Sequence, residues 1–155
     1  MDYTLEENTA LVERLLASDD WKCRKSQNKG SSIFEGAVGG FDGIYGSFRF
    51  VVAVDDSFVQ IFAFLPASAK KHLAETAEFI TRVNYSLKHG SFQMDWNDGE
   101  VLYHICVPAE AVHHDGEVFK IMLGLAPMML SKHSAQLAAV VTGAKTAAEA
   151  FRDCE

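Results

Sequence analysis

The chain has 155 residues, of which 48% are hydrophobic and 23% are charged, a composition that is typical of one folded domain and argues against disorder. The formal net charge of −7 argues against a general nucleic-acid binder, because such proteins present a basic face to phosphate. There is no internal repeat and no Pro/Ser-rich linker, so we expect a single domain over residues 1–155.

The N-terminal segment and the cysteines indicate the compartment. MDYTLEENTALVERLL carries acidic residues where a signal peptide needs positive charge, and it has no apolar core. The longest nearly apolar run, 121–130, is far shorter than the ~20 residues that span a bilayer. Cys23, Cys106 and Cys154 have no CxxC spacing, which is typical of free thiols in a reducing compartment. We therefore predict a cytoplasmic protein without a membrane partner.

The N-terminal half predicts one helix and then strands. Thr4 and Glu7 form a capping box ahead of leucines at helical spacing, and this helix should stop near residues 18–20. A short strand is a candidate at 21–25, before a turn at 28–31. Three segments dense in Ile, Val, Phe and Tyr follow, with Pro66 expected to end the last. They span 33–38, 44–54 and 58–65.

The next segment predicts a second helix and a hairpin. Apolar residues at a 3.6-residue period predict a helix over about 68–89, and Gly90 is expected to stop it in a left-handed conformation. Two alternating strands flank Asp98 and Gly99, which is a strong hairpin signal. The first strand should place Phe92, Met94 and Trp96 on one face, and the second should cover 101–107.

The C-terminal third predicts helices. Asp115 is expected to cap a long helix that Pro127 kinks or breaks, because proline removes a backbone donor. Thr146 and Glu149 form a second capping box, which opens a short final helix. The whole order, α-β-β-β-α-β-β-α, predicts an α+β fold with helices packed on an antiparallel sheet.

The hairpin region carries an N-x5-G-x-F pattern, and GAKTAAEA stands near the end of the chain. The residues concerned are Asn84, Gly90, Phe92, the turn pair Asp98 and Gly99, Tyr103, and 143–150. In these features the chain resembles the YbjN-type domain, whose fold is that of type III secretion chaperones. The resemblance implies a type III secretion chaperone-like fold and a bacterial-type cytoplasmic protein. It also implies a dimer that binds extended segments of a protein client.

Several polar groups raise metal-binding or catalytic alternatives. His113 and His114, with His133 beyond them, are possible metal ligands, but no HxxxH or CxxC spacing fixes a coordination geometry. His104 and Cys106 share one strand face, and nothing in the sequence marks either as activated. We therefore predict no metal, no cofactor and no catalytic residue.

Asn84 is unusual because asparagine is a weak helix former in a helix interior. Contact with a ligand is one interpretation of such a residue. A side chain that bonds to the backbone where the hairpin starts is the interpretation we favour.

The candidate functional surface is a methionine-rich apolar segment, because flexible thioether side chains suit surfaces that accept varied partners. Its residues are Ile121, Met122, Leu125, Met128, Met129 and Leu130. Part of this set should pack on the sheet, and the rest should be free for a partner.

These features predict a non-catalytic protein-binding module, chaperone-like or regulatory, that forms a homodimer and binds an unknown protein client. The dimer should use the apolar segment at 121–130 or the hairpin strand at 101–107. The alternative is a small-molecule sensor or minor enzyme with a pocket between the sheet and the helices.

Overall fold

The computed structural model describes residues 2–154 and contains an open, antiparallel sheet of six strands. The strands are β1 (Arg24–Asn28), β2 (Ser31–Gly39), β3 (Ser47–Val54), β4 (Phe58–Ser68), β5 (Ser91–Met94) and β6 (Glu100–Pro108). Their order across the sheet is β1-β2-β3-β4-β6-β5. The first four strands therefore form a meander, and the later hairpin adds to it through pairing of β6 with β4.

Six helices accompany the sheet in the described part of the chain. They are α1 (Leu5–Ser18), α2 (Leu73–Asn84), α3 (Ala109–His114), α4 (Gly116–Lys132), α5 (Ser134–Val141) and α6 (Ala147–Arg152). A single 3-10 turn, Lys70–His72, precedes α2. Between residues 2 and 154 we find no helix with the length and hydrophobicity to cross a membrane.

The predicted fold class is confirmed, because the helices pack on an antiparallel sheet in an α+β arrangement. Thr4 and Thr146 form the two predicted capping boxes, and the Asp115 side chain accepts from the N–H of Glu117 at the start of α4. The element order is richer than predicted. The candidate strand at 21–25 is present as β1, but it covers Arg24–Asn28 and adds a fourth strand before α2, and the C-terminal third divides into four helices.

The two faces of the sheet differ, since alternate residues of every strand point to opposite sides. One set, including Val52, Ile61 and Ile105, is fully buried under the helices. The core lies on this side, where α1 packs on β2 and β3 and α4 packs on β4 and β6. Every strand position of the other set is half-buried or exposed.

The end of β4 and the start of α2 differ from the prediction. β4 continues through Pro66 to Ser68, and its register against β6 shifts between Phe64 and Ser68. Pro66 is tolerated because that irregular part of the ladder does not need its missing N–H. The second helix is correspondingly shorter: α2 covers Leu73–Asn84 and not 68–89.

Gly90 has a different role from the predicted helix stop. Its φ of +71° is left-handed as expected, but α2 has already ended at Asn84. A Cβ atom on Gly90 would lie 2.7 Å from the carbonyl oxygen of His104, so glycine is required by close approach to β6. Trp96 also departs from the prediction, because it lies between β5 and β6 and is 60% exposed.

Pro127 does not break the long helix. α4 runs from Gly116 to Lys132 without interruption, and Pro127 is buried within it. The buried neighbours Leu123, Ala126 and Leu130 fix this part of the helix against the core. Tertiary packing therefore outweighs the loss of one backbone donor.

Asn84 bonds to the backbone at the start of the hairpin, as predicted. Its Nδ2 donates to the carbonyl oxygen of Phe92 at 2.9 Å, and its Oδ1 accepts from the N–H of Phe92 at 2.8 Å. β5 is an edge strand, so these groups of Phe92 point away from its partner β6. The side chain thus replaces a missing neighbouring strand at one position.

Candidate partner-binding surfaces

The outward side of α4 carries part of the apolar set predicted from the sequence. Ile121 and Met128 are 62% and 51% exposed, and Leu125 lies between them half-buried. Spacings of four and three residues place these side chains on one line, which we call the α4 stripe. The opposite side of the helix is fixed in the core by Phe119 and Leu123.

The remaining residues of the predicted set lie elsewhere on the helix. Met129 is only 9% exposed and Leu130 is fully buried, so both belong to the core. Met122 is half-buried and packs against that core. The accessible part of the predicted surface is therefore the α4 stripe.

A second surface, which the sequence reasoning missed, is the side of the sheet opposite the helices. We call it the open face. Its apolar members include half-buried side chains on four neighbouring strands, namely Ile33, Val51, Ala53, Phe62, Phe64 and Leu102, and Phe58 of β4, which is 45% exposed. Antiparallel sheets that leave one face uncovered usually place polar residues there, so this apolar composition is unusual.

The sequence contained a signal for the open face. In β3, VVAV is apolar at four consecutive positions, and in β4, IFAFL is apolar at five. A strand with only one buried face alternates between apolar and polar residues, whereas these runs are apolar in both phases. Such runs predict that both sides of the central strands avoid water.

His104 lies on the open face in β6, between Phe62 of β4 and Ser91 of the edge strand β5. Its ring stacks on Phe62 with a centroid separation of 4.7 Å, its Nε2 lies 2.9 Å from Oε1 of Gln60, and its Nδ1 lies 3.1 Å from Nε2 of Gln93. A neutral ring that donates from Nε2 and accepts at Nδ1 satisfies both glutamines. Burial lowers the pKa of His104, which also favours the neutral ring.

The charged side chains at strand positions of the open face are matched. Arg24 pairs with Glu35, and Arg49 lies 3.8 Å from Glu100. The Arg49 guanidinium also lies 3.8 Å from the centroid of the Phe64 ring, within cation–π range. Two arginines and two glutamates give the strand positions of this face a formal charge of zero, although the chain carries −7.

His104 and Cys106 do not form a catalytic pair in this arrangement. Both ring nitrogens of His104 contact glutamine amides and not the thiol. Burial, together with the charge of Asp55, raises the pKa of Cys106. The protonated thiol is therefore favoured over the reactive thiolate.

The three histidines considered as metal ligands have different surroundings. His113 stacks on Tyr3 and contacts Oδ1 of Asn8, whereas buried His133 contacts the carbonyl oxygen of Met129 at 2.9 Å. His114 is exposed at the end of α3. Across the part of the chain that the structure describes, no three His, Cys, Asp or Glu side chains are grouped to hold a metal ion.

Two surface depressions are relevant to a small ligand. One of about 230 Å³ lies between α1 and β1, with Thr9, Gln27 and Ser32 among its lining residues. The other, of about 590 Å³, lies beside the β4–β6 end of the sheet, where Asp2, Asp56 and Glu110 contribute acidic groups. Both are broadly open to solvent, and neither lies within the core between sheet and helices.

Comparison with family models, with curated proteins and with solved structures gave no match. The resemblance to the YbjN-type domain therefore stays a prediction that depends on the hairpin and C-terminal residues named above. The function has to be inferred from the two surfaces themselves.

Proposed function

We propose that this protein is a non-catalytic protein-binding module, chaperone-like or regulatory, that acts in the cytoplasm as a homodimer on a protein client. The observation that carries the proposal is the α4 stripe. Ile121 and Met128 expose more than half of their surface on a helix whose other side is fixed in the core. An apolar line on a surface helix suits a hydrophobic groove or an amphipathic segment of another protein.

Charge and cysteine chemistry support the same class of partner. The net charge of −7 disfavours nucleic acid and tolerates basic protein segments. Cys23, Cys106 and Cys154 are free thiols, which fits a reducing compartment. The resemblance to secretion chaperones would favour an extended client segment.

Two observations support a role without catalysis. The ring nitrogens of His104 are occupied by glutamine side chains, and the pKa of the neighbouring Cys106 is raised. The groove between α1 and β1, at about 230 Å³, is smaller than the ~300–1,000 Å³ of most ligand sites, and the depression of about 590 Å³ beside β4 and β6 is broadly open to solvent and not enclosed between sheet and helices. A sensor or minor enzyme with a pocket between sheet and helices is the less favoured alternative.

The test is affinity capture from the native host with the full chain as bait, followed by mass spectrometry. We expect a protein client that is captured by the wild type and lost with Ile121→Asp and with Met128→Asp. The matched control is Tyr85→Asp, which places the same charge at a 95% exposed aromatic residue on another helix end and should retain the client. A client that binds both α4 variants as well as the wild type would refute the role of the stripe.

A further inference from the structure

The open face and the α4 stripe differ greatly in size, and the size decides which of them suits a stable dimer. Six strands about 4.8 Å apart, each contributing roughly seven residues of about 3.3 Å, give the open face a footprint on the order of 600 Å². The stripe from Ile121 to Met128 is about 10 Å long on a helix about 10 Å wide, so it covers on the order of 100 Å².

Stable protein interfaces bury about 1,200–2,000 Å² in total, counting both partners. Two open faces brought together reach the lower end of that range from their footprints alone. Two α4 stripes fall several-fold short. The stripe therefore suits a segment of a client, whereas the open face is large enough for a second folded copy.

The charge of the open face also fits a second copy of the same chain. Two identical surfaces that carry net charge repel each other, and this chain is strongly acidic as a whole. The open face escapes that repulsion, because Arg24 is paired with Glu35 and Arg49 with Glu100. The centre of the face is apolar around Val51 and Phe62. No strand position of this face carries an unpaired charge.

The geometry points to the open face as the interface of a homodimer, in which the sheets of two copies pack against each other with the helices outward. Face-to-face sheets pack about 10 Å apart, and this packing would bury the side chains that are half-buried in a single copy. The inference rests on the homodimer of the proposed function, and it assigns that dimer to one surface. The α4 stripes then lie on the two outer sides, free for clients.

Phe62 and Leu102 provide the mutational test, because both lie on the open face and neither belongs to the buried core. Sedimentation velocity over a concentration series should show a wild-type dimer. Phe62→Arg and Leu102→Arg should each weaken it at least tenfold, because each buries a charge without a partner in the interface. Ile121→Asp should leave the dimer dissociation constant unchanged. Far-ultraviolet circular dichroism and urea unfolding establish that each variant is folded.

Cys106 provides a test without any substitution, because it is exposed on the open face. Cys23 and Cys154 pack against the core on the helix side and serve as internal references. A thiol reagent, followed by peptide mass spectrometry, should modify Cys106 at least fivefold more slowly in the dimer than in the dilute monomer. The rates at Cys23 and Cys154 should not change.

Three outcomes would overturn the assignment. The first is a wild-type monomer at high micromolar concentration, and the second is a dimer that Ile121→Asp dissociates while the open-face variants leave it intact. The third is a Cys106 modification rate that does not differ between dimer and monomer. The first outcome would also refute the homodimer of the proposed function, and the second would place the α4 stripe in the dimer interface. Client capture is measured separately, so loss of the client in Ile121→Asp and Met128→Asp with an intact dimer would support client binding by the stripe independently of this assignment.

Discussion

The Asn84 side chain forms hydrogen bonds to the backbone of the edge strand β5, and its replacement tests the contribution of these bonds to stability. Asn84→Ala removes both hydrogen bonds to Phe92 and leaves two backbone groups of β5 without that partner. A hydrogen bond contributes about 1 kcal/mol net, and a desolvated group left unpaired costs about 1–3 kcal/mol. Because the site is only partly buried, we expect a loss of about 2–3 kcal/mol in the free energy of unfolding.

Urea unfolding followed by circular dichroism measures this loss. For a domain of this size, 1 kcal/mol corresponds to about 2–4 °C, so Tm should fall by roughly 4–12 °C. Thr81→Ala is the matched control in the same helix. It removes an exposed hydroxyl that donates to the carbonyl oxygen of Ala77 and should change stability by less than about 0.5 kcal/mol. An Asn84→Ala protein that unfolds at the wild-type urea concentration with the wild-type slope would show that this side chain does not hold β5.

Three further predictions concern single positions. Gly90→Val should destabilise the domain by more than about 1 kcal/mol in urea melts, because positive φ and contact with β6 both disfavour a Cβ; wild-type stability would refute that requirement. Met129→Asp should unfold the protein or lower its Tm sharply, since Met129 is 9% exposed, whereas Met128→Asp should melt like the wild type; equal melts would contradict the orientation of α4. Burial lowers the pKa of His133, so the unfolded chain takes up a proton first as the pH falls, and stability should decrease below about pH 6.5. His133→Gln should make that dependence shallower in unfolding measured from pH 7.5 to 5, and an unchanged slope would exclude His133 as its source.

Local signals in the sequence predicted most of the architecture. The capping residues Thr4, Asp115 and Thr146 act on neighbouring N–H groups, so their effect depends on only a few residues. The two hydrogen bonds between Asn84 and Phe92 were equally predictable. An asparagine near a helix end can bond to the unpaired backbone groups of an edge strand eight residues later.

The errors arose where distant contacts override a local preference. Pro127 remains helical because the core holds α4 on both sides of it. Gly90 is required by the backbone of β6, which the local sequence does not reveal. The open face was missed for a related reason: its composition is visible in β3 and β4, but only the packing shows that all helices of residues 2–154 lie on the other side of the sheet.

The late arrival of β6 has a consequence for the nascent chain. β1 to β4 pair only with sequence neighbours among themselves, so these pairings need no later part of the chain, whereas the second partner of β4 starts only at Glu100. Translation at about 5–20 residues per second leaves the free edge of β4 unpaired for roughly 2–6 s. The side chains of Val59, Ile61 and Ala63 stay uncovered for longer still, because α4 starts only at Gly116. The unpaired edge of β4 is therefore the part of the incomplete chain that is exposed to wrong pairing and aggregation until β6 has been made.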